Sequence, residues 1–157
     1  MARSTIRLRI EIRKNDELER ARVDGKPIEG LETIEEQLGI FDLRSTAEQV
    51  SFLLDAADDV PAMQGDLDRL INAWRVGDLA ALERELQNER AQAPALYDQL
   101  LGVRNRAWMP KLEALLEQER DYLVVVGALH FVGRDGLLQL LRLAGHKPVA
   151  LAARSAR

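Results

Sequence analysis

Tyr122-Leu-Val-Val-Val-Gly-Ala-Leu-His130, followed by Gly133-Arg-Asp-Gly-Leu-Leu138, sets the reading of this chain. Leu123 to Val126 is an uninterrupted aliphatic and β-branched run, which reads as a strand covered on both faces. Gly127 ends the run, the turn from Gly133 to Gly136 reverses the chain, and Leu137, Leu138, Leu140 and Leu141 supply the apolar face of a helix. In open α/β sheets ligands gather outside the carboxyl ends of the strands, where His130 would stand, with Gly127 allowing close backbone approach. His130 is therefore a candidate site residue. A histidine hydrogen-bonded in a strand-end loop would show the same pattern.

After this unit Gly145 ends the helix, and Lys147-Pro-Val-Ala-Leu-Ala152 suggests a final strand. Before it, Asn15 to Arg22 reads as a short charged helix closed by Asp24-Gly25, and Lys26-Pro-Ile-Glu-Gly-Leu-Glu32 as a strand with Pro27 at its start or on an edge. Thr33-Ile-Glu-Glu36 has capping-box spacing, so a helix should begin at Ile34. Ser45-Thr-Ala-Glu48 repeats the signal and predicts a helix with Val50, Leu53, Leu54 and Ala57 inward and Asp55, Asp58 and Asp59 in solvent. Met63, Leu67, Leu70, Ile71 and Trp74 form one helical stripe up to Gly77. Asp78 can cap the next helix, with Leu79, Leu82 and Leu86, giving a helical hairpin. From Pro94 two apolar rows run side by side, Leu96-Leu100-Val103-Ala107 and Tyr97-Leu101-Trp108, with Arg104 and Asn105 filling a missing turn. So wide an apolar arc implies burial, and a buried guanidinium needs a partner. Arg104 either stacks on Trp108, pairs with a structural carboxylate, or faces a cleft. Pro110 starts a new helix or kinks the same one. The order of elements predicts an α/β fold, a small sheet with flanking helices and a helical insertion at about 45–119.

At 157 residues the chain fits one domain with an ordinary core. Hydrophobic residues at 46% and charged residues at 31% are values of a globular protein. A formal charge of −4 gives no general attraction to phosphate backbones. The basic cluster Arg3, Arg7, Arg9 and Arg13 alternates with apolar residues at strand period and reads as the polar side of an edge strand; without aromatics among the arginines, nucleic-acid readout is the weaker alternative and no nucleic-acid partner is expected. The absence of cysteine excludes disulfides and thiolate metal sites. No signal peptide is expected at Met1, so the chain reads as cytoplasmic. Leu137 to Ala153 is too short and too interrupted for a membrane helix.

Glu32 precedes a helix N-cap and His130 precedes a turn into a helix, so parallel strands would bring both to one sheet edge, within reach of Arg104. A carboxylate, an imidazole and a guanidinium suit metal-assisted hydrolysis. Glu32 alone would equally serve as a favourable charge at a helix N-terminus.

Lys26-Pro-Ile-Glu-Gly-Leu-Glu-Thr-Ile-Glu-Glu-Gln-Leu38, Arg104-Asn-Arg-Ala-Trp108, and Val126-Gly-Ala-Leu-His130 through Gly136-Leu-Leu138 resemble the C-terminal half of TraB/GumN-type proteins, in order and spacing, from about Asn15 to Leu151. The resemblance implies an α/β superfamily related to the Tiki metallopeptidases. Two Gly-x-x-His motifs, a glutamate and an arginine would there form a metal-dependent peptidase or hydrolase site, and many members are bacterial and exported or membrane-attached. On this pattern Gly127 and His130 match the second Gly-x-x-His, Arg104 the arginine and Glu32 the glutamate. The implied roles are His130 as metal ligand or base, Glu32 as metal ligand or acid/base, Arg104 as oxyanion or substrate clamp, and Asn105 beside it as a substrate-binding residue.

The departures are equally specific. The first Gly-x-x-His, its strand and the following acidic residue are absent and would lie before Met1. Leu129 stands where the family has a small residue, and His146 where an aromatic is common. Residues 1–13 do not match the family and could be a replacement strand; 14–157 would be a half-domain. One histidine and Glu32 are too few for a tight catalytic zinc, which typically takes three protein ligands. The expectations are thus a truncated hydrolase-like protein using a divalent ion (Mn, Co or Zn), a non-catalytic structural or oligomerisation module of the same fold, or a half-site completed by a partner chain.

Overall fold

The computed structural model describes residues 7–8, 14–42, 45–47, 49–50, 54, 60–92 and 94–150. Two extended residues, β1 (Arg7–Leu8), precede helices α1 (Lys14–Val23), α2 (Ile34–Asp42), α3 (Val60–Val76), α4 (Leu79–Gln92) and α5 (Pro94–Tyr97). A π-helical turn (Asp98–Val103) leads directly into α6 (Arg104–Leu116). A 3₁₀ turn (Ala128–His130), α7 (Leu137–Leu143) and β2 (Val149–Ala150) complete the order.

The helix boundaries reflect local chemistry. Glu36 N–H donates to Thr33 Oγ1 at 3.1 Å and Thr33 N–H to Glu36 Oε2 at 2.7 Å, the reciprocal pair expected of a capping box. Asp78 Oδ1 accepts from Ala81 N–H at 2.9 Å and starts α4. Gly77, at φ +73°, makes the left-handed break between α3 and α4 that a residue with a Cβ would resist. Gln49 N–H bonds to Ser45 O, so a helical turn does start there. Val50 and Leu54, expected to face inward, are instead 48% and 61% exposed. Leu53, Ala57 and the acidic residues of that segment lie outside the described residues.

The predicted α/β sheet with flanking helices does not form among the described residues. Among the described residues the β pairing is a two-residue parallel ladder, Arg7 to Val149 and Leu8 to Ala150, and helices make up the body of the molecule. Lys26 to Glu32 is a mostly exposed irregular loop. Leu123 to Val126 belongs to a segment without regular secondary structure, and no backbone ladder joins it to another described residue. The physical reason is what surrounds that run. Val124 and Val126 are half-buried against the cluster built by α6 and α7, while Leu123 is exposed, and the period of the run could not distinguish cover by helices from cover by strands. The rest of the arginine-alternating start lies outside the described residues.

Two apolar clusters organise the body. One joins Trp108, Met109 and Leu112 of α6 to Phe131 and to Leu137 and Leu141 of α7. The other joins Ala73 of α3, Leu82 and Leu86 of α4, Tyr97 of α5 and Val132. Consecutive residues Phe131 and Val132 thus enter different clusters. The π turn does the same for the long helix, because an extra residue per turn rotates the downstream helix against the upstream one. Tyr97 packs in one cluster and Trp108 in the other. The row Tyr97-Leu101-Trp108 is buried or half-buried as expected, whereas Val103 is 47% exposed and Ala107 is also in solvent. Pro110 lies inside α6, which continues through it.

Candidate functional site

Arg104, Asn105 and Trp108 occupy the first turns of α6, immediately after the π turn, and all three reach residues far away in sequence. Arg104 donates from Nε to Glu32 Oε2 at 3.0 Å and from Nη2 to Glu32 Oε1, a two-pronged ion pair. Its Nη1 donates to Leu100 O at 3.0 Å. Trp108 Nε1 donates to Glu32 Oε2 at 3.1 Å. The Arg104 guanidinium also sits 5.0 Å from the centre of the Trp108 ring. Stacking on Trp108 and pairing with a carboxylate were alternatives in sequence; Arg104 does both. Lys111 adds a tie from Nζ to Leu31 O at 2.7 Å, so α6 holds the Glu32 loop at two points.

His130 packs on the same indole. Its ring centroid is 4.6 Å from that of Trp108, and its Nδ1 is 2.7 Å from Asn105 Oδ1. Asn105, 1% exposed, donates from Nδ2 to His130 O at 3.2 Å and Asp135 O at 2.8 Å. The amide thereby supplies donors to carbonyls of a largely buried loop, where an unpaired oxygen would be costly. Burial first, then the nearby Arg104 charge, pushes His130 down from 6.5 to about 4, against an upward pull from Glu32. The imidazole is therefore neutral at pH 7. Its Nε2 makes no hydrogen bond to a described residue.

Further supports surround these residues. Arg106 bridges Asp98 of the π turn at 2.9 Å and Asp135 at 3.3 Å. A Cβ on Gly102 would collide with that Asp98 carboxylate, and one on Gly136 with the carbonyls of Phe131 and Val132. Gly127 has φ −59°, and a Cβ there would only touch His130 Cδ2 at 3.6 Å. No close backbone approach demands that glycine.

Glu32, Arg104 and His130 thus converge on Trp108, with Asn105 bonded to His130 and Gly127 beside it; sequence reasoning had placed Trp108 in an apolar row and offered it as a stacking partner for Arg104 alone. Its position four residues after Arg104 was the available signal. His146, half-buried after α7, is not part of the group. The described residues hold no cluster of three or more His, Cys, Asp or Glu that could take a metal ion. Glu32 is occupied by Arg104 and Trp108, leaving His130 Nε2 as the open lone pair, so these residues by themselves do not fit a metal.

A family model described as TraB/PrgY/gumN matches residues 15–150, most of the chain and all of the site. The chain belongs to the TraB/PrgY/gumN family. Among curated proteins it is similar to the uncharacterized protein YbaP of Escherichia coli K12, 31% identical over 117 residues. YbaP of Shigella flexneri gives the same identity over the same length. The match takes in 66% of this chain and 42% of either relative, so the chain spans less than half the length of the TraB-family proteins it matches. No solved structure matches. Among the described residues no helix is long and apolar enough to cross a membrane.

Proposed function

We propose that this chain supplies one wall of a peptidase or hydrolase site, with His130 moving a proton through Nε2 and Arg104 meeting developing negative charge. The observation that carries the reading is the convergence on Trp108. One indole donates to Glu32, 76 positions away, and packs on His130, while Arg104, 72 positions from Glu32, lies over its ring. A neutral imidazole with an unoccupied nitrogen is the form a general base needs, while the burial that lowers its pKa weakens it as a base until negative charge arrives beside it. Of the five guanidinium N–H groups, three are engaged by Glu32 and Leu100, leaving two for an oxyanion. Glu32 sets the position of both neighbours. A divalent ion (Mn, Co or Zn) enters this reading only where a partner chain or another segment brings further ligands.

The competing reading is a non-catalytic packing or oligomerisation module of the same family. What favours it is the saturation of Glu32, whose oxygens accept three hydrogen bonds and tie its loop to α6. The two separate in a hydrolysis screen of an unbiased peptide mixture read by mass spectrometry, comparing the wild type with His130→Asn, with and without added Mn²⁺, Co²⁺ or Zn²⁺. Cleavage lost in the variant supports the hydrolase. Equal activity, or none in every arm, overturns it and leaves the packing module.

A further inference from the structure

We infer that Asn105 is a positioning residue that fixes His130 as the tautomer protonated on Nδ1, leaving a lone pair on Nε2; the use of that lone pair rests on the reading above. The side-chain amide decides the matter. Its Nδ2 faces two carbonyl oxygens, His130 O at 3.2 Å and Asp135 O at 2.8 Å, which accept and cannot donate. Turning the amide over would set Oδ1 against both of them, three acceptors with no hydrogen between. The orientation is therefore dictated by the chain itself. Oδ1 must then be the atom 2.7 Å from His130 Nδ1, and as an acceptor it requires Nδ1 to carry the proton. A neutral imidazole has a single N–H, so Nε2 is bare.

The surroundings leave little room for another solution. Asn105 is 1% exposed and His130 7%, so water is poorly placed to replace the amide. Both nitrogen donors are spent on the loop that carries His130, and the same side chain selects the tautomer, holds that loop and sets the ring's approach to Trp108. Free imidazole is biased toward the Nε2–H form, which would point a donor where this structure places a lone pair. A fixed Nδ1–H is the device by which proteins orient histidines that act as bases or ligands.

The test reads the ring nitrogens. The chain has two histidines, so ¹⁵N-labelled protein at pH 7 gives two imidazole patterns, separated by a His146→Asn variant. The expected result for wild-type His130 is a pyrrole-type Nδ1 and a pyridine-type Nε2. Asn105→Leu should shift the tautomer ratio toward Nε2–H by roughly tenfold or more, as the loss of one buried hydrogen bond implies. An Nε2–H ring in the wild type overturns the proposal, and so does an unchanged ratio in a folded Asn105→Leu. Should that variant not fold, the wild-type spectrum decides. The readout needs no substrate: an Nδ1–H ring without hydrolysis would refute only the proposed function, and His130-dependent hydrolysis with an Nε2–H ring only this inference.

Discussion

Acidification should unfold this protein partly through one imidazole. His130 is held at about 4 in the folded chain against 6.5 for an unperturbed histidine. Because the folded value is depressed, the unfolded chain binds a proton that the folded chain refuses between those two values. Stability is therefore complete above about pH 6.5, falls as the pH drops toward 4, and has no further contribution from this group below that. The full window spans about 2.5 pKa units, or about 3 kcal/mol at 1.36 kcal/mol per unit. At pH 5 the loss is about 2 kcal/mol. The assay is urea unfolding at a series of pH values for the wild type and for His130→Asn, whose amide keeps a donor near the position of Nδ1 but cannot titrate. Subtracting the two curves removes the carboxylates common to both. The wild type should lose about 2 kcal/mol more than the variant between about pH 7.5 and 5. Parallel curves, or a wild type that gains on acidification, would show that burial does not suppress the charge of this ring.

Three other perturbations test the geometry. Arg104→Ala should cost about 2–3 kcal/mol in chemical denaturation, somewhat below a fully buried broken pair because both side chains keep some exposure, and Glu32→Gln in the same background should recover part of it; additive losses would deny the coupling. Gly136→Ala should lower stability by about 1–3 kcal/mol or more, since its Cβ meets two carbonyls. Gly127→Ala should stay within about 0.5 kcal/mol, so equal melting shifts for the two glycines would contradict the packing. Thr33→Ala should cost about 1 kcal/mol by loss of the α2 cap, read from the urea midpoint at unchanged slope; no change would mean the capping pair contributes nothing in solution.

Local chemistry proved readable and long-range pairing did not. Thr33, Asp78 and Gly77 announced helix ends because capping acts over a few residues. The need of Arg104 for a partner was visible for a similar reason, since an apolar helix face makes a guanidinium conspicuous. Leu123 to Val126 misled because an apolar β-branched run suggests cover on both faces, whereas here Val124 and Val126 are half-buried against two helices and Leu123 is exposed. The π turn left no mark in the apolar rows, so Val103 and Ala107 were assigned inward although the rotation carries them out. The Asn105–His130 contact joins positions 25 apart through a loop whose path depends on Gly136, and no periodicity encodes such a meeting. Glu32, Arg104 and His130 could be grouped from the sequence and matched to the resemblance, but Trp108 as their common neighbour came from the structure.

Trp108 also gives this group an optical signature. The chain has two tryptophans, and Trp74→Phe would leave one emitter, its indole N–H on Glu32 and its ring against His130. A neutral imidazole quenches indole fluorescence weakly and an imidazolium strongly, while the Glu32 hydrogen bond tunes the emission wavelength. A proton, an ion or a substrate arriving at Nε2 would thus change the brightness or colour of a single residue. Occupants of the site can be sought by light alone, before any reaction is known.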